Sequence, residues 1–244
     1  MTLTHWTRTD WADASGDESP ALGGLTPFGE DVVKEMNRLG MIVDVSHVHD
    51  ETFWDVLRVT TKPVVASHSC ARALSTIFRN LSDYMLKALA KNGGLVGINF
   101  APQFLNATIT KKLDDAAAAV GKKYGLAANP GEWGSAAADV RTKALAEFEA
   151  RKADIAKTDG RIDVKTVVDH IDHVVKVTGS ADHVGLGSDY DGIGDPPRGL
   201  ENIGKFGAIT DELLARGYKE TDIRKILGGN FLRVFHSVSQ TTAK

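Results

Sequence analysis

Short apolar runs alternate with longer amphipathic stretches along most of the 244 residues, and this alternation predicts an α/β architecture with a parallel sheet. Runs rich in β-branched residues predict buried strands at 41–46, 64–67, 95–99 and 183–188, and Thr2-Leu-Thr-His5 reads as the end of a fifth. A helix is expected from Thr26-Pro27, with Thr as cap and Pro in the first turn. Its stripe is Phe28, Val32, Val33, Met36 and Leu39, and Gly40 ends it. Asp50 is expected to cap a helix over 51–60, and further helices fall near 82–91, 163–178, 208–216, 221–227 and 230–238. Residues 7–25 carry no period and read as a loop. The alanine-rich, charged region 101–160, interrupted at 129–134, is expected as an excursion of two helices from one domain spanning 1–244.

Strands joined through helices give right-handed crossovers, which suit either a closed barrel or an open sheet. A closed barrel of this kind needs eight strands, and only five are found. A flavodoxin-like open sheet accepts five, but it brings a glycine-rich phosphate loop after its first strand, and none is seen here.

Composition narrows the function. The chain is 42% hydrophobic and 25% charged, enough for a sizeable core. A net charge of −3 leaves no broad basic surface, so nucleic acid is not expected as a partner. No run reaches the ~18 apolar residues of a membrane span, and no leader is recognised, so a cytoplasmic location is the default expectation. Cys70 is the only cysteine, which rules out an internal disulfide; it could serve as a soft ligand, although a buried thiol is the commoner state.

The candidate chemistry lies at three strand ends. Met41-Ile-Val-Asp-Val-Ser-His47, Pro63-Val-Val-Ala-Ser-His68 and His183-Val-Gly-Leu-Gly-Ser-Asp189 deliver two imidazoles and a carboxylate where α/β barrels keep their active groups. Such a set can bind a metal and move protons. From the residues alone, His47 and His68 also fit hydrogen-bonded core histidines. His47-Val-His49 spells a His-x-His pair, but a helix capped at Asp50 would leave His49 outside the strand and exposed. His170 and His173 stand one turn apart and could chelate on paper; beside Asp169 and Asp172 they are expected on a solvated face. His183 and His236 join no constellation. Arg79 and Arg72 both offer the planar fork that binds a carboxylate.

Thr4-His5, Trp11-Ala-Asp13, Leu25-Thr-Pro-Phe-Gly29, Asp44-Val-Ser-His47, Ser67-His-Ser69, Arg79-Asn80, Asp169-His-Ile-Asp-His173, Gly185-Leu-Gly-Ser-Asp189 and Gly228-Gly-Asn230 occur in order along nearly the whole chain. In this the chain closely resembles the renal (membrane) dipeptidase family. The resemblance implies a (β/α)8 TIM-barrel-type metallohydrolase that cleaves dipeptides with two zinc ions. By resemblance His47 and His68 are ligands of one zinc, and His5 contacts the substrate and supports the tetrahedral intermediate. Asp189 carries the proton, and Arg79 holds the substrate carboxylate.

The family's first-strand His-x-Asp pair and bridging Glu have no counterpart in this chain. The five strands would correspond to the fourth through eighth of the family barrel, so a partial barrel is expected, with Met1 an internal methionine of a longer ancestral chain. Extending the reading frame upstream is expected to recover a His-x-Asp motif. Two histidines fall short of an ordinary catalytic zinc site, so weak metal binding and little activity are expected unless a homodimer or complementing chain contributes. The rival expectations are a non-catalytic half-barrel assembly module and a related binuclear amidohydrolase acting on another carboxylate-bearing substrate.

Overall fold

The computed structural model describes residues 1–17 and 21–239. Helix α1 spans Pro27–Arg38 and helix α2 spans Asp50–Val59; strand β1 covers Val65–Ser69, helix α3 Asp83–Lys91 and strand β2 Leu95–Ile98. Helices α4 (Pro102–Leu105), α5 (Ala107–Tyr124) and α6 (Ala138–Thr158) follow, then α7 (Val164–Thr178) and strand β3 (Val184–Leu186). Helices α8 (Gly207–Ala215), α9 (Glu220–Arg224) and α10 (Asn230–Ser239) complete the described chain.

The three strands form a parallel sheet in the order β1-β2-β3. Two of the expected strands are reduced to single bridges: Thr2 pairs with Asp44, and Asp44 with Val65, both parallel. The backbone continues the sheet through Asp44 N–H to the Met1 carbonyl (3.1 Å) and Val45 N–H to the Val65 carbonyl (2.8 Å). Five segments therefore lie side by side in sequence order. In the second of them the Asp44 side chain, not a neighbouring carbonyl, takes the Ser46 amide, and it takes the Ser67 amide of β1 as well.

The sheet is sharply curled where β1 ends. A side chain at Gly97 would meet the Ser67 carbonyl oxygen at 2.3 Å, and one at Gly187 would meet the same oxygen at 2.0 Å, although β2 lies between β1 and β3. Only residues without a Cβ permit this approach.

Helices cover the sheet with valine-rich faces. In α7 the residues Val167, Val168, Ile171 and Val174 are fully buried in the same core as Val96, Ile98 and Val184. Each such side chain contributes roughly 1.5–3 kcal/mol of transfer free energy. Helix α7 starts with a capping box in which Asp163 accepts from the amides of Lys165 and Thr166.

Three expectations need correction. Helix α2 is capped by His49, whose Nδ1 accepts from the Glu51 amide, so Asp50 lies inside the helix and pairs with Arg72 instead. The α1 stripe is narrower than its pattern: Val33 and Met36 are buried while Phe28 and Leu39 face solvent. His170 is not on a solvated face. It is 1% exposed, with Nδ1 accepting from the Ala71 amide (3.1 Å) and Nε2 2.9 Å from the Leu105 carbonyl oxygen. His173 is mostly buried and pairs with Asp83 at 2.7 Å.

The region 101–160 contains the two expected helices, α5 and α6, packed on each other. Its interruption is a 3-10 turn, Pro130–Ser135, that buries Trp133 against Val120 and Ala144. The expected loop at 7–25 is tied by an Ala12–Leu25 bridge, and by Asp13, which accepts from the amides of Ala21, Leu22 and Gly24; its residues 18–20 lie outside the described residues.

Candidate metal and substrate site

The carboxyl ends of the parallel segments open into a cleft of about 590 Å³. Among its lining residues are His5, His47, His68 and Asp189, which are 184 positions apart at the extremes and arrive from four different segments. Trp6 and Thr9 also line it, contributed by the segment that follows Thr2.

His47 and His68 are the centre of the cluster. Their Nε2 atoms stand 2.8 Å apart, and the His5 ring lies 4.6 Å from that of His47, centroid to centroid. His47 ends its segment with φ 70°, in the left-handed region that a branched or bulky residue avoids, and Asp189 ends its own with φ 59°. At both positions the chain turns out of the sheet abruptly and leaves the side chain facing the cleft.

The electrostatics keep the imidazoles neutral. Burial, the nearby Arg79 guanidinium and the neighbouring His68 and His5 depress the His47 pKa to about 3. Burial, and then Arg79, lower that of His68 as well. Neutral rings at neutral pH have nitrogen lone pairs free for a metal ion or a proton.

Behind the histidines lies Asp44, 7% exposed, which gathers four hydrogen bonds. Its Oδ1 accepts from the amides of Ser46 and Ser67, both at 3.0 Å, and its Oδ2 accepts from the hydroxyls of Thr2 (2.8 Å) and Ser67 (2.6 Å). Burial alone would raise its pKa, but these bonds outweigh that and hold it below the usual carboxylate range. The Ser67 hydroxyl in turn stands 2.8 Å from His68 Nδ1.

Asp189 is held by Asn99, whose Nδ2 donates to Oδ2 at 3.1 Å. Arg79 is buried behind His68 and does not line the cleft. It donates to the His68 carbonyl (3.2 Å) and the Ser69 hydroxyl (3.4 Å), lies over the Phe104 ring at 5.1 Å, and keeps Nε without a partner. Burial brings its pKa down to about 10. Arg72, the competing arginine, is engaged by Asp50 in a two-pronged pair at 2.7 Å on each prong. Cys70 is buried and donates to the Asn99 carbonyl, with its thiol pKa pushed up by burial. His49 is committed to the α2 cap.

The donors suit a metal as a pair. Two nitrogens on one tetrahedral zinc, each about 2.0–2.1 Å from it, stand about 3.3 Å apart, so the hydrogen-bonded rings, now 2.8 Å apart, would part by about 0.5 Å to share an ion. His47 Nδ1 is buried without a partner, so that ring is not locked by a second hydrogen bond. As a set the donors fall short: among the described residues no group of three or more His, Cys, Asp or Glu is arranged to hold a metal ion. No helix among them is long and apolar enough to cross a membrane.

Sequence reasoning named His5, His47, His68, Asp189 and Arg79 and passed over Asp44, Ser67 and Asn99. A signal for Ser67 was present, since a serine directly precedes each histidine in Asp44-Val-Ser-His47 and Ser67-His68.

Comparisons with known proteins agree on one family. A model of the membrane dipeptidase family (peptidase family M19) matches residues 1–244. Dipeptidase 3 of Mus musculus is 34% identical over all of this chain, which covers 40% of the mouse protein; dipeptidase tcpJ of Claviceps purpurea is 32% identical over all of it, which covers 45% of that protein. The chain thus spans less than half the length of these relatives. The crystal structure of the probable dipeptidase PvdM from Pseudomonas aeruginosa superposes with a TM-score of 0.74 at 32% identity, over 99% of this chain and 62% of that one. A metallo peptidase from Rhodobacter sphaeroides, liganded with a phosphinate mimic of the dipeptide L-Ala-D-Ala, superposes at 0.63 with 29% identity, over 88% and 47%. With the family model matched along its whole length and dipeptidases 32–34% identical over all of it, this chain belongs to the membrane dipeptidase family.

Proposed function

We propose that this chain forms the His47/His68 half of a zinc-dependent dipeptidase site, in which a dipeptide lies in the cleft between His5 and Asp189. The observation that carries the reading is the pair of neutral imidazole nitrogens 2.8 Å apart in the wall of the cleft that His5 and Asp189 also line. A zinc ion, when bound, would supply an acidified water and a polarised carbonyl. His47 and His68 would hold it, and the remaining ligands would come from outside residues 1–244. His5, exposed and next to His47, is placed to donate a hydrogen bond to the developing oxyanion. Asp189, steadied by Asn99, is placed to pass a proton. Arg79 would take the substrate's C-terminal carboxylate, which requires its guanidinium to leave the His68 carbonyl and use the unpartnered Nε.

The five side-by-side segments are read as an arc of a (β/α)8 barrel. The close approach of Ser67 to Gly187 across β2 supports this, since a flat sheet would keep alternate strands apart.

Zinc titration of the purified chain, followed by histidine NMR and by turnover of dipeptides with free or amidated C-termini, tests the proposal. Zinc is expected to perturb His47 and His68 first, and turnover by residues 1–244 alone is expected to be little or none. Failure of zinc to touch either histidine would overturn the metal reading. Robust zinc-dependent turnover by this chain alone would overturn the incomplete site. Light scattering on the eluted protein separates a lone chain from a dimer.

A further inference from the structure

We infer that Asp44 and Ser67 act as positioning residues that fix the proton of His68 on Nδ1 and turn the lone pair of Nε2 toward the cleft. The inference deepens the metal reading above, but rests on hydrogen-bond directions within this chain. Asp44 receives two backbone amides on Oδ1, and amides can only donate. Its Oδ2 receives the hydroxyls of Thr2 and Ser67, so all four acceptor directions of an ionised carboxylate are used and none is left for a proton of its own.

The remaining protons follow without choice. Ser67 has one hydroxyl proton, and its shortest contact, 2.6 Å to Asp44, takes it. Ser67 Oγ must therefore accept at its 2.8 Å contact with His68 Nδ1, which makes that ring nitrogen the donor. Ser46 completes the circuit: its Oγ accepts from the His68 amide at 3.0 Å, and its hydroxyl is free to donate to Ser67 Oγ at 3.3 Å. Every hydroxyl proton in the cluster is thus assigned, and the chain of donation runs one way from His68 through Ser67 to Asp44.

A neutral His68 with its proton on Nδ1 carries a bare Nε2, the form a metal ligand needs. His47 has no such support, because its Nδ1 is buried without a partner. With bare Nε2 on His68, the 2.8 Å contact between the rings makes His47 Nε2 the donor, so His47 must surrender that proton before it can ligate. The two histidines are therefore unequal: one is preset, the other must exchange tautomer.

Two-bond proton–nitrogen correlation spectra of the full chain labelled with 15N-histidine read the tautomer directly at neutral pH, with His68 assigned by the signals lost in His68→Gln. The expected pattern is His68 protonated on Nδ1 alone and His47 protonated on Nε2. Ser67→Ala is expected to give His68 a mixture of both tautomers, and Ser67→Thr, which keeps the hydroxyl, to restore the single form. Zinc affinity should fall about tenfold or more in Ser67→Ala and recover in Ser67→Thr. A His68 protonated on Nε2 in the parent chain, or a tautomer that Ser67→Ala leaves unmoved, overturns the inference while leaving the metal reading intact. If zinc moves neither histidine but the tautomers are as stated, the relay is upheld and the metal reading fails.

Discussion

The mouth of the sheet and the helical excursion 101–160 handle polarity in opposite ways. At the mouth, Asp44 is buried and collects donors from three separate segments, so one carboxylate ties together residues 2, 44–46 and 67. In the excursion the charges are paired along exposed helix faces, as in Lys111–Asp115 and Lys157–Asp154, and cohesion comes from a small apolar cluster around Trp133. The first arrangement holds atoms in place for chemistry, because a buried acceptor loses far more when a partner is removed than an exposed one.

The sharpest way to break the contrast is Asp44→Ala. It strands four donors, at ~1 kcal/mol or more each, so a loss of about 4 kcal/mol is expected in urea unfolding, together with dispersal of the His47 and His68 signals. Trp133→Ala should cost about 3 kcal/mol by the usual toll of a large buried ring. That loss should stay local: hydrogen exchange should open α5 and α6 while the cleft histidines keep their spectra.

A smaller effect comes from pH. His170 joins the two regions, since it accepts from Ala71 beside β1 and reaches the Leu105 carbonyl at the end of α4. Burial lowers its pKa below the unfolded value of 6.5, and His47 shifts the same way to about 3. Between those limits the unfolded chain binds more protons than the native one, so stability should be fully present above pH 6.5 and decline as the pH falls toward 3. His170→Gln should flatten part of that decline in urea melts run across the range; an unchanged slope would rule out His170 as a contributor. Lys111→Ala, which removes an exposed helix pair, should leave the urea midpoint within measurement error.

Much of this was legible in the residues. The β-branched runs marked β1, β2 and β3 because burial on both faces demands them, and Thr26-Pro27 marked the start of α1 because its cap chemistry is local. His47, His68 and Asp189 could be placed at strand ends by the same logic. The errors arose where a distant partner decided the outcome. Nothing near His170 in sequence announces Ala71 or Leu105, 99 and 65 positions away, so its acidic neighbours suggested a solvated face. Segment 41–46 has strand-like composition, yet the Asp44 side chain takes the Ser46 amide that a ladder would have used. Asp50 looked like a cap because aspartate often is one, but the helix starts one residue earlier, with the imidazole of His49 accepting from the Glu51 amide.

The pair of glycines at 97 and 187 has a consequence for anyone who would redesign the cleft. Because the Ser67 carbonyl fills the space where either side chain would begin, even alanine at these two positions must push the segment bearing His68 out of line. The floor beneath the histidines is in effect a keyway, machined to zero tolerance, and selectivity is more readily re-cut at cleft-lining residues away from it, such as Trp6 and Thr9.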